Sequence, residues 1–260
     1  MKSIPFLLLA GFLILPNSIS LAQAPQEAQR VPDGGTREVL ISILIPSLPN
    51  APFTATVNTE WIRQLADGSA ITLQNHRAIA RDAAGRIFQE RRRLVPEGGK
   101  IESAVSQIEI SDPVSHELYI CVPSERVCQL ELFSPPDSRR SAAAGAVRKE
   151  PGSPGLEALG KQSIGGLETV GTRETMVIPT GAIGNNSPLL SKREFWYSPL
   201  LGVNLISKRQ DPRFGSQNFE VTDVTLGEPD AKLFEVPSGS KILDLRKPPE
   251  ISAPPAPASN

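Results

Sequence analysis

The sequence predicts an all-β protein: a curved antiparallel sheet or half-barrel of about eleven strands, with little helix. Three observations predict it. Apolar and polar residues alternate with a period of two through residues 52–93, as a half-buried sheet requires. No segment sustains an apolar repeat at helical spacing. The 25 prolines and 20 glycines, against 5% aromatics, supply many turns and little material for a large core.

The chain opens with an export signal by pattern. Lys2 gives a positive start, Ile4 to Leu15 is almost continuously apolar, and Ala22-Gln23-Ala24 fits a small-x-small cleavage site. Residues 1–24 therefore read as a signal peptide, with cleavage near Ala24 and a periplasmic or secreted product. The run falls short of the ~20 residues a helical span needs, and Pro16, Asn17 and Ser18 break it. Past residue 24 nothing can span a bilayer as a helix. Removing Lys2 leaves 26 basic and 28 acidic residues, a net charge of −2. That is no footprint for nucleic acid or an anionic membrane, either of which calls for a clustered basic excess.

Residues 25–37 are polar and turn-rich and are expected to be disordered; a single β domain is expected over 38–246. Glu38 to Ile45 (EVLISILI) reads as a strand with little polar alternation, buried on both faces. Pro46, Pro49 and Pro52 then hold the chain extended. In the next strand Phe53, Ala55, Val57, Thr59 and Trp61 share one face, and Thr54, Thr56, Asn58 and Glu60 the other. In its partner Ile71, Leu73 and Ile79 face one way, with Thr72, Gln74 and His76 opposite. Asp67-Gly68-Ser69 and the Arg81-to-Arg86 segment RDAAGR supply the turns, since Asp and Gly bond their own backbone or tolerate positive φ. A third strand runs from Arg86 to Leu94, and a fourth from Ser103 to Ile110.

Cys121 and Cys128 are the only cysteines. In an exported chain a disulfide is the leading reading, and two short strands around Pro123-Ser124-Glu125-Arg126 place the pair across a hairpin. Residues 134–156 lack any apolar period and read as a flexible loop. Strands follow at Ala158 to Ile164, Leu167 to Ile178, Lys192 to Tyr197, Val203 to Arg209 and Phe219 to Leu226, with one helical turn at Asp230 to Phe234. Asn185-Asn186-Ser187 is formally a glycosylation sequon. The Pro/Ala-rich tail, 247–260, is expected to be disordered.

Catalytic chemistry finds no support. His76 and His116 are the only histidines, and neither lies near a nucleophile motif. HExxH, P-loop and calcium-loop patterns are absent, so no metal or cofactor is predicted. Glu60 and Glu90 could face one another as a carboxylate pair, but alternating strands produce such pairs by chance. Binding is the remaining class. An open sheet can leave an apolar face for a hydrophobic ligand, and Trp61, Ile71, Leu73, Phe88 and Trp196 are the candidate lining, or else plain core.

Three blocks carry a resemblance: residues 52–93, LGKQSIGGLETVGTRETMVIPTGAIGN, and FWYSPLLGVNLISKRQDPRFG with EPDAKLFEVPSG. Covering most of residues 50–240, they resemble uncharacterised exported proteins of soil bacteria. More distantly, Trp196-Tyr197-Ser198-Pro199 and Leu233-Phe234-Glu235-Val236-Pro237 resemble motifs of the LolA-like and RseB-like periplasmic lipoprotein-carrier and anti-sigma-regulator superfamily. That resemblance implies an incomplete β-barrel cradling acyl chains or a peptide, with lipid, lipoprotein or an envelope protein as partner. The helices that plug such half-barrels have no counterpart here. The combined expectation is a non-enzymatic envelope protein binding an apolar ligand or protein partner on an open sheet face. A scaffold without a pocket and an unrecognised hydrolase are the alternatives.

Overall fold

Alternation builds the centre of the molecule. β1 (Phe53–Gln64) buries Phe53, Ala55, Val57, Thr59 and Trp61 on one side and leaves Asn58 on the other. It pairs with β2 (Ala70–Arg81) through an unbroken antiparallel ladder from Phe53↔Arg81 to Gln64↔Ala70. The turn between them forms as its residues require: the Asp67 carboxylate accepts the Ser69 N–H at 3.0 Å.

The computed structural model describes residues 43–134 and 155–246, so the predicted signal peptide, both predicted disordered ends and most of the 134–156 loop lie outside the described residues. From β2 the chain continues through β3 (Ile87–Arg92), the two-residue β4 (Val95–Pro96), β5 (Val105–Asp112), β6 (Glu117–Val122) and β7 (Val127–Leu132). It resumes in β8 (Gly155–Ile164), β9 (Leu167–Ile178), β10 (Leu189–Ser198), β11 (Val203–Asp211) and β12 (Gly215–Leu226). A 3-10 turn at Ala231–Phe234 precedes β13 (Lys241–Asp244). These strands make one curved open sheet, ordered β13-β7-β6-β5-β3-β2-β1-β12-β11-β10-β9-β8, with β4 on β2. Two meanders thus meet at the β1–β12 seam.

The described residues hold thirteen strands rather than about eleven. The additions are β4 and β13, each too short for an alternation to register. β13 joins β7 in parallel, which a short turn cannot achieve. The chain therefore crosses the sheet between β12 and β13, and Leu233 and Phe234 of the 3-10 turn pack on Ala80, Phe88, Ile110 and Tyr119. The strand expected at Glu38–Ile45 is also corrected. Residues 43–48 form no ladder, and Ile43 and Ile45 are buried while Leu44 between them is 55% exposed, so the segment alternates. Residues 38–42 lie outside the described residues.

The larger core, on the opposite side, gathers Ile43, Ile45, Phe53, Val57, Ile79, Leu201, Val203, Leu205, Phe219 and Val221. Arg81 is fully buried beside it, 5.0 Å above the Phe53 ring. Its guanidinium donates to three carbonyls: Nε and Nη2 to Ala51 O at 3.0 and 2.8 Å, Nη1 to Pro46 O at 3.0 Å, and Nη2 to Leu201 O at 2.7 Å. One side chain therefore ties residues 46–51 and the β10–β11 turn to the sheet. Burial pushes its pKa down to about 10.

Cys121 and Cys128 form the expected disulfide, directly opposite each other on β6 and β7 with 3.9 Å between their Cα atoms. Asn185 serves its own loop: its side chain donates to Pro179 O and Ser187 O at 2.8 and 2.7 Å.

Candidate functional site

The polar halves of β1, β2 and β12 form the floor of a cavity of about 680 Å³. Register puts Asn58 beside His76 and Glu220, and Glu60 beside Gln74 and Asn218, so these side chains share the face away from the larger core. The segment after β3 turns back over this face, where β4 pairs with Leu73 and Gln74 and brings Val95, Pro96, Gly99 and Ile101 over the floor. The cavity thus has a hydrogen-bonding floor and a mixed roof, apolar at Val95, Pro96 and Ile101 and polar at Arg92, Glu102 and Ser103.

Local contacts fix the floor. The Asn218 amide donates to Glu60 Oε2 at 2.7 Å, and the Asn58 amide donates to Thr222 Oγ1 at 2.9 Å. On the β3 side the ladder to β2 stops after Gln89, and side chains replace it. The Ala78 N–H donates to Glu90 Oε2 at 3.1 Å, and Asn75 Nδ2 donates to Arg92 O at 2.8 Å. Arg92 in turn bonds Glu90 at 2.8 Å and the Ser103 carbonyl at 2.8 Å, which anchors the roof segment. Asn75 Oδ1 is buried without a protein partner at the cavity wall. Glu60 and Glu90 thus each serve a different neighbour rather than one another.

The five apolar candidates do not converge. Trp61 is buried, opposite Leu73 on β2 and Gln217 on β12, and its Nε1 donates to Phe214 O at 2.7 Å. Leu73 and Ile71 follow on that same face, with Ile71 41% exposed near its end. Phe88 points the other way, paired with Ala80 and Ile110 beneath the 3-10 turn. Trp196 lies on β10, half-buried, donating to Glu194 Oε1 at 2.9 Å. A Cβ on Gly171 would fall 2.6 Å from the Trp196 ring, so the absence of a side chain there makes room for the indole. His76 sits on the cavity floor and His116 in the β5–β6 turn.

Sequence reasoning placed Asn58, Glu60, Gln74 and His76 on one polar face but took that face as plain surface. The missed residues are Asn218 and Glu220, whose part depends on β12 pairing with β1. Between residues 58 and 220 no local signal exists. Among the described residues no group of three or more His, Cys, Asp or Glu could hold a metal ion. No helix there is long and apolar enough to cross a membrane, which says nothing of a β-barrel.

No family model and no curated protein matches the chain. Solved structures do. MucB of Pseudomonas aeruginosa, in its complex with MucA, aligns over 73% of this chain and 56% of its own at 13% identity and a TM-score of 0.39. The lipoprotein LppX of Mycobacterium tuberculosis aligns over 70% of this chain and 88% of its own at 11% identity and a TM-score of 0.30. An outer membrane lipoprotein-sorting protein domain of Vibrio parahaemolyticus aligns over 70% and 88% at 7% identity and a TM-score of 0.25. This chain therefore spans little more than half the length of MucB. Likenesses this distant assign no ligand.

Proposed function

We propose that this is an exported, non-enzymatic binding protein of the cell envelope that holds its ligand, or a segment of a partner, in the cavity over β1, β2 and β12. The observation that carries the reading is the cavity itself. Its volume of about 680 Å³ falls in the range of small-molecule sites. Its floor is a row of hydrogen-bonding side chains on the sheet, and its roof carries an apolar strip, Val95, Pro96 and Ile101, beside Arg92, Glu102 and Ser103. Such a lining favours an amphiphilic ligand, polar toward the floor and apolar toward Val95, Pro96 and Ile101. Of the apolar residues expected from sequence to line a binding face, Trp61 and Phe88 are buried on opposite sides of the sheet, so the two do not line one surface.

Native mass spectrometry of the protein recovered from the envelope fraction, joined to a thermal-shift panel of phospholipids, acylated peptides and unmodified peptides, tests this. A co-purifying or stabilising compound is expected with the wild type. Gln74→Trp, at an exposed floor position, should fill the cavity and abolish the effect with the fold intact. A wild-type protein that stays empty and unshifted throughout the panel, or a Gln74→Trp variant that binds equally well, refutes the reading.

A further inference from the structure

One end of the sheet carries an exposed surface that the cavity does not use. Strand directions bring three connections to that end: the β1–β2 turn (65–69), the β9–β10 loop (179–188) and the β11–β12 turn (212–214). The strands involved, β9 to β2 in sheet order, span six positions, or roughly 24 Å at the usual inter-strand spacing. Apolar side chains stand out of it. Leu65, Ile71, Val177, Leu190 and Phe214 are 40%, 41%, 57%, 44% and 41% exposed, and Ile183 tops the loop. Val177 and Leu190 are direct cross-strand neighbours, so the exposure is contiguous there.

Cations surround these tips. Segments 61–73, 173–194 and 207–217 hold seven basic and four acidic residues, a net of +3 in a chain whose total is −1. Two of the four acids are already paired with cations of the rim: Glu194 accepts from Arg173 Nη2 at 2.9 Å, and Asp211 is held by Arg213. Asp211 is 3% exposed and accepts from Arg213 Nε and Nη2 at 2.8 and 2.7 Å. Arg209 and Arg213 flank the Phe214 ring at 5.5 and 5.0 Å, and Arg63 covers Trp61 at 5.5 Å. Arg63, Leu190, Arg213 and Phe214 line a shallow recess of about 380 Å³. The turn is drawn tightly onto β1: Gly215 has φ +82°, and a Cβ there would collide with Ile62 O.

We infer that this rim docks on an anionic lipid surface, its apolar tips entering the headgroup layer while Arg63, Lys192 and their neighbours meet the phosphates. Exposed apolar side chains interleaved with cations are what an interfacial anchor needs, with burial and electrostatic attraction adding to each other. The apolar groups project from three separate connections and from the strand ends beside them, along one end of the sheet, instead of lining a deep groove. That spread favours a plane of lipid over a single protein segment. The inference is independent of the cavity and would place the cavity beside a membrane.

The test is co-sedimentation of the processed protein, recovered soluble after export, with two kinds of vesicle. One is phosphatidylcholine alone; the other contains about 30% phosphatidylglycerol, enough to set up an attractive surface potential. Binding is expected to the anionic vesicles, to weaken with added salt, and to survive an excess of soluble glycerol phosphate. The double variant Arg63→Gln/Lys192→Gln should bind about 25-fold more weakly, roughly fivefold per charge removed at the surface. Val177→Ser/Leu190→Ser should lose roughly tenfold or more by removing half-exposed apolar groups from the contact. Unchanged thermal melts establish that both variants fold. Equal binding to neutral vesicles, no sedimentation with anionic ones, complete competition by glycerol phosphate, or folded variants that bind like the wild type would each overturn the inference.

Discussion

Arg81→Met should unfold this protein measurably, and the reason can be worked from four distances. The guanidinium makes four hydrogen bonds of 2.7 to 3.0 Å to the carbonyls of Pro46, Ala51 and Leu201. Methionine keeps most of the volume and removes the charge, so burying the side chain becomes easier. Against that gain, Ala51 O and Leu201 O lose their donors, while Pro46 O keeps the Leu48 N–H at 2.9 Å. Each orphaned buried acceptor costs about 1–3 kcal/mol, with Leu201 O at the upper end because it is the most enclosed. Relief from burying the charge offsets part of that sum, and a net loss of about 2 kcal/mol remains. For a domain of this size the melting temperature should drop by roughly 4–8 °C. Chemical denaturation followed by circular dichroism gives the free energy directly. Hydrogen exchange adds a local readout: the Asn50 amide, bonded to Ala83 O at 2.9 Å, should exchange faster than amides of β1. Arg81→Lys should do no better than methionine, because an ammonium retains the desolvated charge without a fork that reaches three acceptors. A lysine variant of wild-type stability, or a methionine variant within about 1 kcal/mol of it, refutes this reasoning.

Two further outcomes concern the ends of the sheet. Hydrogen bonds from Arg213, side chain and then backbone, hold the Asp211 carboxyl well below the usual carboxylate range in the folded state. Its folded pKa is depressed, so its stabilisation is complete above the unfolded value of about 4 and is lost as pH falls below that. Denaturation midpoints between about pH 5 and pH 3 should therefore fall more steeply for the wild type than for Asp211→Asn, and parallel slopes would contradict this. Replacing Cys121 and Cys128 together by serine should cost about 2–3 kcal/mol, the loop-closure value for so short a loop, measured by the same denaturation. A loss below about 1 kcal/mol would show that the β6–β7 hairpin does not need the bridge.

What could be read in advance follows from how local the information is. The faces of β1 and β2 were legible because alternation assigns each side chain by parity alone. The disulfide was legible because a sequence separation of 7 between the cysteines suits a hairpin. Register between distant strands was not legible, and the cavity depends on it: Glu60 meets Asn218 only because β12 returns to β1. The same gap scattered the five apolar candidates, since parity within one strand cannot say whether Phe88 and Trp61 share a side. Burial of Arg77 and Arg81 was also hidden. An arginine in a strand reads as exposed until the carbonyls that solvate it are known, and those of Arg81 lie 30, 35 and 120 residues away.

Both proposed surfaces follow from where the two meanders meet. β1 and β12 are central strands, flanked on both edges, so their ladders are spent and only their side chains can meet a ligand. One side of the seam is filled by Phe53, Val57, Phe219 and Val221, together with Ile43 and Ile45 from the segment that Arg81 holds down. No apolar groove is left open at that point. On the other side the connection to β13 covers Phe88 and Ile110, and what stays accessible is the polar row of Asn58, Glu60, Gln74 and His76 under the β3–β5 roof. A purely apolar ligand laid there would leave Glu60 and its neighbours desolvated without compensation, at several kcal/mol. An amphiphile would not, because it presents polar groups to the floor and hydrocarbon to Val95, Pro96 and Ile101. The cationic, apolar rim lies at the end of the same strands, so the surface suited to lipid headgroups borders the cavity suited to an amphiphile. If the rim variants lose vesicle binding while Gln74→Trp retains it, the two surfaces are separable, and the rim meets lipid without help from the cavity.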